Sequence, residues 1–155
     1  MRAKAWPVRI LGSPHQSRRL MFECAIALSC ILMVGCGLSK KQQQKAVAAV
    51  TPWLDLIDTE RYDDSWRRTG DYFRGTITSD RWNELMRAYR RPLGKVMSRS
   101  FNSARRETSL PGVLDANYIV IKFDTVFERK KKAVETVVMI VDQNGQLSVA
   151  GYYVE

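Results

Sequence analysis

Residues 118–154 read YIVIKFDTVFERKKKAVETVVMIVDQNGQLSVAGYYV, and the period within this stretch decides the fold. Ile119, Ile121, Phe123, Thr125 and Phe127 alternate with Val120, Lys122, Asp124, Val126 and Glu128. This two-residue repeat sends successive side chains to opposite faces of a half-buried strand. Residues 134–141 and 147–154 predict two further strands, and Asn144 with Gly145 between them is the pair that a two-residue type I′ turn demands, because both central positions need positive φ. Upstream, residues 97–108 predict a weaker and more polar strand, and residues 111–117 a returning loop.

Before these strands the period is helical. Ala46, Val47, Ala49, Val50, Trp53, Leu54 and Ile57 recur at steps of three and four, which places them on one stripe. Pro52 either kinks this helix or begins its main part with Thr51 as cap. Thr59 is expected to cap a second helix that turns Tyr62 and Trp66 inward, with Gly70 ending it in a left-handed turn. Ser79, Trp82, Leu85, Met86 and Tyr89 mark a third helix that Pro92 and Gly94 stop. The expected fold class is α+β: about three N-terminal helices packed on a four-stranded antiparallel β-meander.

The chain's start is of another kind. Arg2, Lys4, Arg9, Arg18 and Arg19 precede an apolar run from Leu20 to Leu38 broken only by Glu23, the charge order of an export signal. The run contains Leu32, Met33, Val34, Gly35 and Cys36, which resembles a bacterial lipoprotein signal, with Met33 where Leu is usual. An acylated Cys36 is the leading expectation, an uncleaved anchor the second, and an ordinary cleaved signal the third. The twin Arg18 and Arg19 lack the following Phe of a twin-arginine signal, since Met21 stands there. With Gly37 after Cys36 in place of aspartate, the expected site is the outer membrane facing the periplasm, then the inner membrane. The expected organisation is residues 1–36 as signal, 37–45 as tether, with residues 39–45 equally readable as a first helical turn, and 46–155 as a single domain.

Composition narrows the function. Hydrophobic residues make up 45% of the chain, ample for a packed interior. The net charge is +9, from 25 Lys plus Arg against 16 Asp plus Glu, but the first 36 residues hold five of those bases and one acid, leaving 20 against 15 beyond them. That modest surplus gives no nucleic-acid footprint. Cys24, Cys30, Cys36 and His15 all precede the domain, which therefore has no disulfide framework, no Cys-rich metal site and no imidazole for nucleophilic catalysis. No phosphate loop or calcium loop occurs, so no cofactor or metal is expected.

Candidate residues remain. Asp55, Asp58, Asp63 and Asp64 cluster around the first helix junction, where acids favour a helix start. Arg87, Arg90, Arg91 and Lys95 crowd the end of the third helix, where cations suit its dipole, with an inward turn of Arg90 as the alternative. Arg129, Lys130, Lys131 and Lys132 occupy the turn between two strands: ordinarily solvated, but able to touch a partner or anionic lipid at about 1 kcal/mol per base. Trp53, Trp66, Tyr72, Phe73, Trp82 and Tyr89 stand at helical spacing and are expected in the core.

Many of these positions are familiar together: Trp53, Leu54, Asp58, Tyr62, Ser65, Trp66, Phe73, Trp82, Arg90, Pro92, Leu93, Gly94 and Arg99, then Leu110, Pro111, Gly112, Tyr118, Phe123, Phe127, Glu135, Thr136, Gly151, Tyr152 and Tyr153. From Ala46 to Glu155 the chain resembles the bacterial family called domain of unknown function 4019. It departs at Leu147, where the family often has Trp, and at Ala116, where it has Gly. The resemblance implies an exported domain, distantly similar to nuclear-transport-factor-2-like or cystatin-like folds, and brings no activity with it.

The leading expectation is a non-enzymatic, lipid-anchored envelope protein that binds another envelope protein or a small ligand. One alternative is a small-pocket enzyme built from carboxylate, Arg and Tyr, with Asp58, Arg90 and Tyr152 as its residues. Another is an anchored subunit of an envelope complex, which an exposed apolar face or sheet edge would support.

Overall fold

The computed structural model describes residues 37–155, so the stretch expected to be an export signal, with Cys24, Cys30, Cys36 and His15, lies outside the described residues. Helices α1 (Lys40–Asp58), α2 (Tyr62–Arg67), α3 (Asp71–Thr76) and α4 (Ser79–Leu85) precede strands β1 (Val96–Glu107), β2 (Tyr118–Phe127), β3 (Ala133–Val141) and β4 (Leu147–Val154). The strands pair antiparallel in the order β1-β2-β3-β4, an α+β fold with the helices laid on one face of a meander. Among the described residues no helix is long and apolar enough to cross a membrane.

Helix α1 begins earlier than its apolar stripe. Ser39 caps it by accepting from the Gln42 amide while the Gln42 side chain accepts from the Ser39 amide, a reciprocal capping box. Residues 40–45, read as a tether, are thus the first turns of the helix. Pro52 lies inside the helix, and Thr51 is no cap: its hydroxyl donates to the Val47 carbonyl. Thr59 likewise ends α1 instead of starting α2, bonding back to the Asp55 carbonyl.

Gly70 also has another role. Its φ is −71°, the residue precedes α3, and its amide donates to the Val149 carbonyl in β4. A Cβ there would stand 2.5 Å from Ser148 Oγ, so glycine serves close approach to the sheet, not a left-handed turn. Helix α3, which rests on that contact, is an element that the periodicity had not marked.

After α4 the chain widens into a π-helical segment, Met86–Arg90, followed by a 3-10 turn, Arg91–Leu93. The wider turn puts every fourth residue inward, so Trp82, Met86 and Arg90 are buried while Tyr89, expected in the core, is 51% exposed. Gly94, at φ 79°, then turns the chain into β1.

Register shifts bend the sheet without spoiling its two faces. Between Phe101 and Ser103 in β1, and between Val149 and Gly151 in β4, one residue goes unpaired. The second shift lets Val149 and Tyr152, three apart, both face the helices, opposite Met139 and Val137. That face carries the main core of Val50, Trp53, Leu54, Ile57, Trp82, Ile121, Phe123, Val137 and Met139. On the other face the loop after β1 folds back, and Leu110, Val113 and Ala116 cover Tyr118, Val120 and Val138.

The turn between β3 and β4 is not a two-residue type I′ turn. Asp142 and Gln146 close it, the Asp142 side chain accepts from the Asn144 and Gln146 amides, and only Gly145 has positive φ, at 74°. This is a three-residue loop with a bulged left-handed glycine, the alternative that the Asp142 carboxylate stabilises.

Candidate functional site

The polar residues of the helix-facing side gather at one end of the sheet. Asp58 ends α1, Arg90 comes from the π-helical segment, and Arg99, Thr125, Glu135 and Tyr152 come from the four strands in order. Strand alternation delivers them. Arg99 pairs with Thr125 and so shares its face, and Glu135 follows the Ala133, Val137 and Met139 side of β3.

Asp58 accepts from Arg90 at 2.9 Å and from Arg99 at 2.7 and 2.9 Å. Arg99 turns its other edge to Glu135, at 2.6 and 3.1 Å. Glu135 also accepts from the Thr125 hydroxyl at 2.7 Å and from the Tyr152 hydroxyl at 2.6 Å. Arg90 further donates to the Gly94 carbonyl, and its guanidinium lies 4.5 Å from the centre of the Phe127 ring. Glu135 has no exposed surface and Arg90 is only 4% exposed. Two guanidinium groups against two carboxylates make the cluster formally neutral, the condition under which such charges tolerate burial.

Burial works to lower the pKa of Arg99, but the hydrogen bonds and charges of Asp58 and Glu135 outweigh it and hold the guanidinium above its ordinary value. The Tyr152 hydroxyl is pushed well above 10, by burial first and then by the neighbouring Glu135. Tyr62, buried with an unpartnered hydroxyl, is raised by burial and then by Glu60.

The three residues proposed for a pocket, Asp58, Arg90 and Tyr152, are therefore members of one network, but Tyr152 reaches the other two only through Glu135 and Arg99. Glu135, Arg99 and Thr125 received no role from the sequence; the signal that marks Glu135 is an acid on the apolar side of an alternating strand. Every carboxylate oxygen in the network accepts a protein donor.

The other acids disperse. Asp63 accepts from Ser79 and Asn83, which hold its carboxyl below the usual range. Asp64 is held down by Arg67 and then Arg61. A recess of about 300 Å³ over α2 and α4 is lined by Asp63, Asp80, Asn83, Glu84 and Arg87. Among the described residues no group of three or more His, Cys, Asp or Glu is arranged to hold a metal ion.

The aromatic residues are knitted through Ser65, which has no exposed surface. Its carbonyl accepts from Trp53 Nε1 and its hydroxyl from Trp82 Nε1, while Trp66 Nε1 donates to the Ile77 carbonyl. Trp53 also meets Tyr152 edge to face, at 5.5 Å between centroids. Trp53, Trp82 and Tyr152 thus occupy part of the space between helices and sheet.

Arg129, Lys130, Lys131 and Lys132 sit on the β2–β3 turn, which is docked on the 3-10 turn: the Arg129 amide donates to the Leu93 carbonyl and the Glu128 amide to that of Lys95. None of the four forms an ion pair among the described residues. The far end of the same sheet holds the point where the domain leaves the N-terminal segment, since Gly37 bridges to Arg105. From Arg105 back to Val96, beside the basic turn, β1 spans about 30 Å.

No curated protein and no solved structure matches the chain. A family match does cover residues 49–152, which takes in all six residues of the buried network. Because that span exceeds half of the chain, the protein belongs to the family described as "Protein of unknown function (DUF4019)".

Proposed function

We propose that this is an exported protein held at a membrane through Cys36, and that its domain works by binding rather than catalysis, with the basic β2–β3 turn as contact surface. The observation that carries the reading is where charge is spent and where it is left over. Half-buried Asp58 and Arg99 and buried Glu135 and Arg90 pair with one another, whereas the four cations of the turn have no acidic partner among the described residues. An enzyme using Asp58, Arg90 and Tyr152 would need to turn them toward substrate, at the cost of bonds that join α1 to the strands.

The leader's order of charges and Cys36 support export and acylation, with the outer membrane facing the periplasm as the proposed site. The basic turn stands about 30 Å along the sheet from Gly37, a placement that favours an acidic envelope protein over the anchoring bilayer as its partner. Metabolic labelling with a fatty acid tests the anchor: label should disappear in Cys36→Ala, and unchanged labelling refutes it. Chemical cross-linking in envelopes tests the surface. A discrete adduct should weaken in Lys131→Glu and with rising salt, and an adduct indifferent to both refutes the role of the turn.

A further inference from the structure

The end of the domain opposite the basic turn carries features that the charge network does not use. Gly37 is paired to Arg105 at the outer edge of β1, Leu38 is buried, and Ser39 already caps α1. No slack separates residue 37 from the fold. Consecutive Cα atoms lie about 3.8 Å apart, so a lipid on Cys36 would join the chain one residue before the Gly37 bridge to this end of the sheet.

The surface there is suited to a lipid headgroup layer. The loop after β1 turns Leu110, Val113 and Ala116 onto the sheet but leaves Leu114 70% exposed, with its carbonyl fixed by the Tyr118 hydroxyl at 2.6 Å. Lys40 and Lys41 are exposed in the first turn of α1, which contains no acid, although a helix start favours negative charge. Arg106, near the end of β1, is exposed as well and forms no ion pair among the described residues. An apolar tip, cations that form no ion pair among the described residues and a short attachment converge at one end.

We infer that this end seats directly on the membrane, with Leu114 entering the headgroup region and Lys40, Lys41 and Arg106 meeting lipid phosphates, so that the basic β2–β3 turn is presented away from the bilayer. The inference rests on the proposed acylation of Cys36. It gives the domain a fixed orientation, with the basic turn about 30 Å along the sheet from the seated end.

Photo-cross-linking in the full-length chain, in cells, tests it. Leu114→benzoylphenylalanine and, separately, Lys131→benzoylphenylalanine place a reactive group at each end on exposed side chains. Irradiation should add the mass of a lipid at position 114 and none at 131. A chain that fractionates with membranes but yields no lipid adduct at 114, or yields one at 131, overturns the seating and leaves the anchor intact. A chain found in the soluble fraction overturns both.

Discussion

Glu135 on β3 and Arg99 on β1 face each other across the intervening strand through two hydrogen bonds, 2.6 and 3.1 Å long. Arg99 continues to Asp58 at the end of α1, so one guanidinium joins the first helix to the sheet. Removing Glu135 leaves the Thr125 and Tyr152 hydroxyls without their acceptor and Arg99 with a single carboxylate. Breaking such a buried pair from one side costs about 3–5 kcal/mol. Glu135→Ala should therefore lower the urea midpoint sharply, and Arg99→Met combined with Glu135→Leu should recover part of the loss, because no uncompensated charge then remains between those two positions. A double variant weaker than Glu135→Ala would contradict this account.

The raised Tyr152 and Tyr62 hydroxyls predict an alkaline limit. Each folded-state pKa lies above the ordinary value of 10, so the stability it contributes is complete below pH 10 and is lost as pH rises toward the folded value. In an absorbance titration of phenolate, these two tyrosines should ionise only together with loss of tertiary structure, and Tyr152→Phe should shift alkaline unfolding. Phenolate formation by all tyrosines near pH 10 in the folded protein would refute it.

Asp63 predicts behaviour at the acid side. Its carboxyl is held below the ordinary 3.8 by Ser79 and then Asn83, so its contribution is present above pH 3.8 and disappears as pH falls through the folded value. Asp63→Asn should lower stability at neutral pH and flatten the decline below pH 4 in urea titrations at stepped pH. An unaltered acid slope would show that the bonds Asp63 accepts from Ser79 and Asn83 contribute nothing.

Gly70 predicts a steric effect. Gly70→Ala places a methyl 2.5 Å from Ser148 Oγ and 3.2 Å from its Cβ, and such overpacking costs about 1–3 kcal/mol. Thermal unfolding should show the loss and a partial rescue in Gly70→Ala with Ser148→Ala, which removes the nearer atom. Equal stability of Gly70→Ala and the natural chain would mean that α3 can shift off β4 freely.

Local pattern alone determined most of the architecture, α3 excepted: alternation wrote three strands into residues 118–154, and steps of three and four wrote the helix around Trp53. These signals are legible because each depends only on which neighbours along the chain share a face. Tertiary structure decided what such neighbours cannot encode. Gly70 is glycine because of Ser148, and Arg90 turns inward in place of Tyr89 because a widened turn brings it to Asp58. Glu135 is tolerated among apolar side chains because Arg99, Thr125 and Tyr152 arrive from three other strands. A buried charge is stable only through the partners that surround it in space, and strand order and bulges assemble those partners from positions up to 94 residues from one another in the sequence, as between Asp58 and Tyr152.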